Sequence, residues 1–501
     1  MRRPLATALC LLSVAAAAGC GSSGSSSGAR DPLDNALGYM PKSAPIVVAI
    51  DTDLNGSQWK SLSANVKKFA FAGQVESSLK SQINQSGLDF DKDIKPLLGN
   101  EFVISAPTVQ ATIGDNSQVV GALQVGDKGK LSDLLSNDKD VTKDGTSGGA
   151  TLYKGKSGDT EIAQDGDVFV VASTKQQVVA AIEQRGRDDR LTEDQFNSNL
   201  SGLPSDALVR LYVDAQGLIS GSPGTETARK VKWVAALKTV GFTLSSQNDG
   251  LAMDFNAKTD ASQLTDSDLP IAAGDASPPV SNKAGEIGLG IRGLDQSEHF
   301  AESVAQVVSP GSYSTFVRNK KKISSQLGLD LDKEVVDQLS GNASISFDVQ
   351  GHYAVRVEPK DPAAFAKRLD KFAKVAPQFA RGAGLPGAKL THVRGLYKLT
   401  GAHGKTIYYG MVGKVFAASN DLASLAAIAS DTPQPLPGAK GAVALNAEVA
   451  KIASELISKA AGGGLGGAFG GSLATAPLGN LTGWMDASTS ALTGHMKLGI
   501  K

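Results

Sequence analysis

The chain has 501 residues, with 50 Lys and Arg against 50 Asp and Glu, and only two cysteines. That length allows two or three domains with ample core, and 41% hydrophobic with 20% charged residues describes a globular chain. Zero formal charge removes the basic footprint of nucleic-acid binding, and two cysteines cannot build a disulfide scaffold, a four-cysteine zinc site or an iron–sulfur cluster.

Both cysteines lie at the start. Arg2 and Arg3 precede an apolar run from Leu5 to Ala18, which carries Cys10; small residues follow, and then Cys20. A basic start, a short apolar run and a small-residue cleavage site predict a secretory signal over residues 1–19. The run falls short of the roughly 20 apolar residues a spanning helix needs. The segment resembles the lipobox of bacterial lipoproteins, which implies that Cys20 is lipidated and becomes the first residue of the mature chain. Residues 20–31, rich in Gly and Ser, read as a flexible tether.

The rest reads as one unit written twice, residues 32–262 and 284–501, joined by a linker over 263–283 rich in proline and small polar residues. Gly87-Leu-Asp-Phe-Asp-Lys-Asp93 returns at Gly328 to Glu334, Leu152-Tyr-Lys154 at Leu396 to Lys398, and Val168 to Ser173 at Val415 to Ser419. In order, the first copy predicts a strand at Ile46 to Ile50 and a helix with Trp59, Leu62, Val66 and Phe69 on one face. Strands at Glu101 to Ala106 and Val119 to Val125 follow, then a charged loop at Asp138 to Asp144. A hairpin turns at Asp165-Gly166, and its second strand runs into a helix capped by Thr174. The second copy repeats this with strands at Glu286 to Ile291, Ala343 to Val349 and Tyr353 to Val357. A helix opens there at Asp361-Pro362, and a hairpin around Val412-Gly413 leads to a helix capped by Asn420. Long terminal strands close each copy. The expected fold class is α+β: two tandem repeats, each a mainly antiparallel sheet with helices on one face.

The lipobox, Tyr39-Met-Pro41 before a strand ending in Asp51, and the Gly87 to Asp93 motif with Leu98-Gly99 resemble the domain of unknown function 3352 family. The resemblance spans nearly the whole mature chain. It implies an exported, often lipid-anchored protein with a repeated α+β body, and it supplies no reaction, ligand or catalytic residue.

Asp89, Asp91 and Asp93 imitate the start of a calcium loop, but the sixth and twelfth positions are Ile94 and Asn100, so capping of a helix is the expected role. Gly145-Thr-Ser147-Gly-Gly149 matches a nucleophile elbow in letters and lacks the strand-to-helix setting. All five histidines, at 299, 352, 392, 403 and 495, stand in the second copy without metal-ligand spacing. Gly462-x-Gly464-x-x-Gly467 follows a helix instead of a strand, so a dinucleotide site is not expected. That stretch is read as a surface loop or as an apolar flap carrying Leu465 and Phe469. No catalytic residue, metal or cofactor is assigned. The chain is expected to be a non-enzymatic binding protein anchored by Cys20 on the outer side of the cell membrane, with a lipid or other hydrophobic ligand as first choice. The alternative is a structural or interaction protein of the cell envelope, whose partner is another envelope protein.

Overall fold

The computed structural model describes residues 31–85, 87–108, 118–156, 160–380, 385–460 and 475–501. Alternation of apolar and polar side chains builds its strands, and the chain divides into two units. The first takes residues up to Gly221, with Lys238–Ala257 and Ile500–Lys501; the second takes Ser222–Leu237 and Lys258–Gly499.

In the first unit, α1 (Pro32–Leu37) starts with proline at its first turn behind the Asp31 cap. Then come β1 (Ile46–Ile50), α2 (Ser57–Lys67), α3 (Ala72–Gln85), β2 (Phe102–Ala106), β3 (Val120–Gln124) and α4 (Lys128–Asn137). Four strands follow as two hairpins, β4 (Val141–Ser147) with β5 (Ala150–Gly155) and β6 (Glu161–Asp165) with β7 (Val168–Ala172). Next are α5 (Lys175–Gln184), α6 (Glu193–Asn199), β8 (Val209–Val213), α7 (Ala215–Gly221), β9 (Leu237–Gln247) and β10 (Gly250–Thr259). The strands run across the sheet as β4-β5-β6-β7-β3-β2-β1-β8-β9-β10, antiparallel from β4 to β9.

Helices cover both faces of this sheet, not one. Val168, Val170 and Ala172 of β7 pack with Leu33, Leu37, Val178 and Ile182 from α1 and α5. Phe169 points the other way, to Leu131, Leu134 and Leu135 of α4. The physical reason lies in the strand: Val-Phe-Val-Val-Ala is apolar at every position, the pattern of a strand buried on both sides. Ahead of β1, Leu33, Leu37, Tyr39 and Met40 are at most 2% exposed. At about 1.5–3 kcal/mol for each such side chain, this segment is a firm plug.

The second unit holds α8 (Lys232–Ala235), β11 (Pro279–Val280), β12 (Ile287–Arg292), α9 (Leu294–Val308), α10 (Pro310–Leu327) and α11 (Leu331–Glu334). It continues with β13 (Asn342–Phe347), β14 (Tyr353–Val357), α12 (Pro362–Phe379), β15 (Lys389–Val393) and β16 (Leu396–Thr400). The hairpin of β17 (Thr406–Val412) with β18 (Val415–Ser419) leads to α13 (Leu422–Ser430), β19 (Gln434–Pro435) and β20 (Val443–Ala447). Finally come α14 (Val449–Ala460), β21 (Leu478–Ala487) and β22 (Ala491–Ile500). The strand order is β15-β16-β17-β18-β14-β13-β12-β20-β21-β22, and β11 pairs separately with β19. Here too both faces are clad: Phe416 and Ala418 meet Leu369 and Ala376 of α12, while Ala417 meets Leu425 of α13.

Several local expectations change. Asp421, not Asn420, caps α13 by accepting from the Ser424 N–H. Asn420 is occupied elsewhere, accepting from the Tyr353 N–H and donating to the Gly351 carbonyl. The hairpin of β6 and β7 is tight, but its two loop residues are Gly166 and Asp167, with Asp165 still paired opposite Val168. The charged stretch read as a loop becomes β4 from Val141, where pairing with β5 overrides its polar composition. In the segment read as a linker, Leu269 and Ile271 are buried with Ala442 and Ala487. No helix among the described residues is long and apolar enough to cross a membrane.

Candidate binding site

Cys20, Leu465 and Phe469 lie outside the described residues. Just before the glycine-rich stretch, α14 exposes Leu456 and Ile457. Ser147 ends β4, and Gly148 and Gly149, with φ of 56° and 89°, turn the chain into β5. That is a hairpin turn, not a nucleophile elbow.

The acidic triplet spreads outwards. Asp89 accepts from the Lys92 N–H at 3.0 Å, Asp93 accepts from the Asp89 N–H at 2.8 Å, and Asp91 faces Lys80 at 3.5 Å. The Asp89 N–H holds the Asp93 carboxyl below its usual range, and Lys130 beside it helps. In the second unit Asp330 and Glu334 make the same reciprocal cap, Glu334 accepting from the Asp330 N–H at 2.9 Å. These carboxylates finish helices. Among the described residues one carboxylate trio, Glu298, Glu302 and Asp332, comes close enough to share a cation. The ammonium of Lys320 already sits among them, 3.3 Å from Glu298 and 2.5 Å from Glu302, with Asp332 also in contact. His352 is paired with Asp348 at 2.7 Å, and His392 and His495 lie against Tyr397 and Trp484.

A pocket of about 430 Å³ opens on the first unit, lined by Asn35, Gly148, Asp165, Ile182, Arg185 and Gly186. Asp165, at the end of β6, is its hub. Its Oδ2 accepts from the Tyr39 hydroxyl at 2.9 Å and from Arg185 Nη1 at 2.6 Å. The guanidinium lies 5.8 Å from the Tyr39 ring centre. Burial, and then the charge of Asp165, push the Tyr39 hydroxyl well above its ordinary pKa, so it stays a donor. Asn35 donates to Gln124 at 2.8 Å, and Gln124 donates to Asp167 at 2.9 Å. The network thus ties α1, β3 and the hairpin turn into one rigid wall. Sequence reasoning used Tyr39 as a landmark and Asp165 as a turn residue, and passed over Asn35 and Arg185. A signal was present, since the stretch from Leu33 to Pro41 has no obvious equivalent in the second half.

A second feature recurs in each unit. The helical hairpin after the first strand exposes apolar side chains: Phe71 (41%) at the break between α2 and α3 with Val75 (40%) in the first turn of α3, and Val308 (54%) at the end of α9 with Phe316 (45%) about two turns into α10. Arg318, Lys321 and Lys322 stand exposed within two turns of Phe316. These turns were missed because Phe71 and Val308 adjoin the helix breaks, off the periodic core face.

An antiparallel sheet clad in helices, with a polar pocket and apolar hairpin turns, defines an α+β protein. The chain belongs to the family described as Protein of unknown function (DUF3352), whose model matches residues 5–435. No curated protein matches. Similar solved structures include crystal form IV of TP0453, at 10% identity and a TM-score of 0.27, covering 44% of this chain and 80% of that one. Crystal form III of TP0453 gives 8% identity and 0.26, covering 45% and 79%. At such scores the likeness says nothing further about this chain.

Proposed function

We propose that this chain is a lipid-anchored, extracytoplasmic binding protein made of two copies of one α+β unit, with membrane lipid as the ligand of its hairpin turns. The observation that carries this reading is the set of exposed apolar residues on the helical hairpin of each unit, Phe71 and Val75 in the first and Val308 and Phe316 in the second. Apolar residues that project from a folded body, with cations nearby on α10, suit the boundary between headgroups and acyl chains. Duplication is supported by strand order, since β15 to β18, β14, β13, β12 and β20 to β22 follow the sequence of β4 to β7, β3, β2, β1 and β8 to β10. The reciprocal caps at Asp89 and Asp330 add to it.

Anchoring at Cys20 would hold the body close to the bilayer. A lipobox cysteine carries two acyl chains, enough for stable anchoring, and the turns would add a second contact with the bilayer.

The test has two arms. Cys20→Ser should move most of the chain out of the membrane fraction, leaving only the weaker hold of the turns; undiminished retention would sink the anchor. Flotation of a soluble chain starting at Gly21 on vesicles of phosphatidylcholine and phosphatidylglycerol should give binding. The double substitution Phe71→Ser with Val75→Ser should weaken that binding by about thirtyfold, since each half-exposed side chain adds about 1 kcal/mol on entering lipid. Vesicle binding equal to that of the parent chain would refute the lipid contact and leave an envelope protein as the partner of these turns.

A further inference from the structure

We propose that the pocket between Asn35, Asp165 and Arg185 binds a neutral polyhydroxy group, the chemistry of a free sugar or of a glycolipid headgroup. Its volume of about 430 Å³ falls within the 300–1,000 Å³ of small-molecule sites. Charge selects the class. Arg185 and Asp165 neutralise one another at 2.6 Å, and Asp165 is only 12% exposed. An anion would have to draw Arg185 off this carboxylate, with Asp167 close by as a second negative charge. A cation would have to displace Arg185 itself. The first exchange would strand the poorly solvated Asp165 carboxylate. A hydroxyl ligand breaks nothing: it accepts from the remaining N–H groups of Arg185 and donates to Asp165 Oδ1 and Asn35 Oδ1. Among the described residues neither oxygen is engaged, because Tyr39 and Arg185 meet Oδ2 of Asp165, and Asn35 binds Gln124 through its amide nitrogen.

The walls fit the same class. The lining is mainly polar, and Gly148 and Gly186 leave space that side chains would occupy. A Cβ at position 148 would come within 2.8 Å of Ile182 Cγ2. A packing role alone would not call for these groups. The matching hairpin of the second unit ends in Val412, apolar and 37% exposed, where the first has Asp165.

Saturation-transfer NMR with maltose, on the chain starting at Gly21, tests the free sugar. Flotation on phosphatidylcholine vesicles with and without digalactosyl diacylglycerol tests the headgroup. Saturable maltose binding, or added retention by the glycolipid, supports the site and tells the two sources apart. Arg185→Gln should weaken whichever signal appears at least tenfold. Gly186→Phe should do the same by obstruction, because a Cβ there meets nothing closer than the Glu183 carbonyl at 3.7 Å and the fold should tolerate it. Absence of both signals in the parent chain, or signals that neither variant weakens, would overturn the proposal. The substitutions at Phe71 and Val75 leave the pocket intact, so failure of the lipid contact would show separately.

Discussion

Asp51 closes β1 with its carboxyl largely withdrawn from water, and this raises its pKa from 3.8 to about 6. Burial is the main cause; the Asp53 N–H, donating at 2.8 Å, pulls the other way, and Glu101, Asp53 and Asp206 push up again. An aspartate in the unfolded chain titrates near 3.9. The folded chain therefore holds the proton more tightly between about pH 4 and 6, and stability falls as pH rises through that window. The full difference would be worth about 3 kcal/mol, and a partly solvated carboxyl delivers about 1–2 kcal/mol of it. Asp51→Asn keeps the oxygen that Asp53 donates to and removes the charge. It should raise stability at pH 7.5 by about 1–2 kcal/mol and flatten the dependence between pH 4.5 and 6.5. Urea midpoints at the two ends of that range decide the matter; parallel curves for variant and parent would remove Asp51 as the cause.

The hairpin of α9 and α10 is held in an unusual way for an element of its length. Neither helix contains a fully buried residue, so hydrophobic burial fixes it weakly. Lys320 on α10, only 14% exposed, gathers Glu298 and Glu302 of α9 and Asp332 of α11. Lys320→Met should leave three carboxylates facing one another and cost about 2–3 kcal/mol. Faster amide exchange over residues 294–327, relieved in part by Glu298→Gln, is the expected signature. Unchanged exchange would show that the ion cluster does not pin the hairpin. Such elements explain what could be read in advance and what could not. Helices with a cap and a clear face, such as Asp361 to Phe379 and Thr174 to Gln184, were legible because their signals are local. β4 was not, because only Val141 among its residues is fully buried and its strand state comes from pairing with β5. β8 was hidden by Arg210, only 7% exposed and satisfied by Asn197 and Glu101 from elsewhere in the fold. Likewise, Asn35 and Arg185 are ordinary surface letters until the fold brings them to one pocket.

At the scale of the whole molecule, the division into units does not follow a single cut in the sequence. Residues 222–237 belong with the second unit although they precede Lys238–Ala257, which belong with the first. Landmark repeats locate the copies by their shared motifs, and they are blind to a segment whose two versions have diverged. The physical reason for the assignment is Trp233, which packs on the cluster of Leu269, Ile271, Ala442 and Ala487. Asp260 also donates its N–H to the Ala236 carbonyl at 2.8 Å, fastening the segment to the stretch that leads into that cluster. A chain of residues 263–501, cut at the start of the segment read as a linker, loses both. A chain of residues 222–501 keeps them and should be more stable in urea by about 2–3 kcal/mol, the scale of a partly buried large side chain removed from a core. Trp233→Ala in the longer chain should reproduce most of the loss, which separates packing at the cluster from a general effect of length. Equal midpoints for the two chains would mean that residues 222–237 contribute nothing to the second unit, and its boundary would return to the linker.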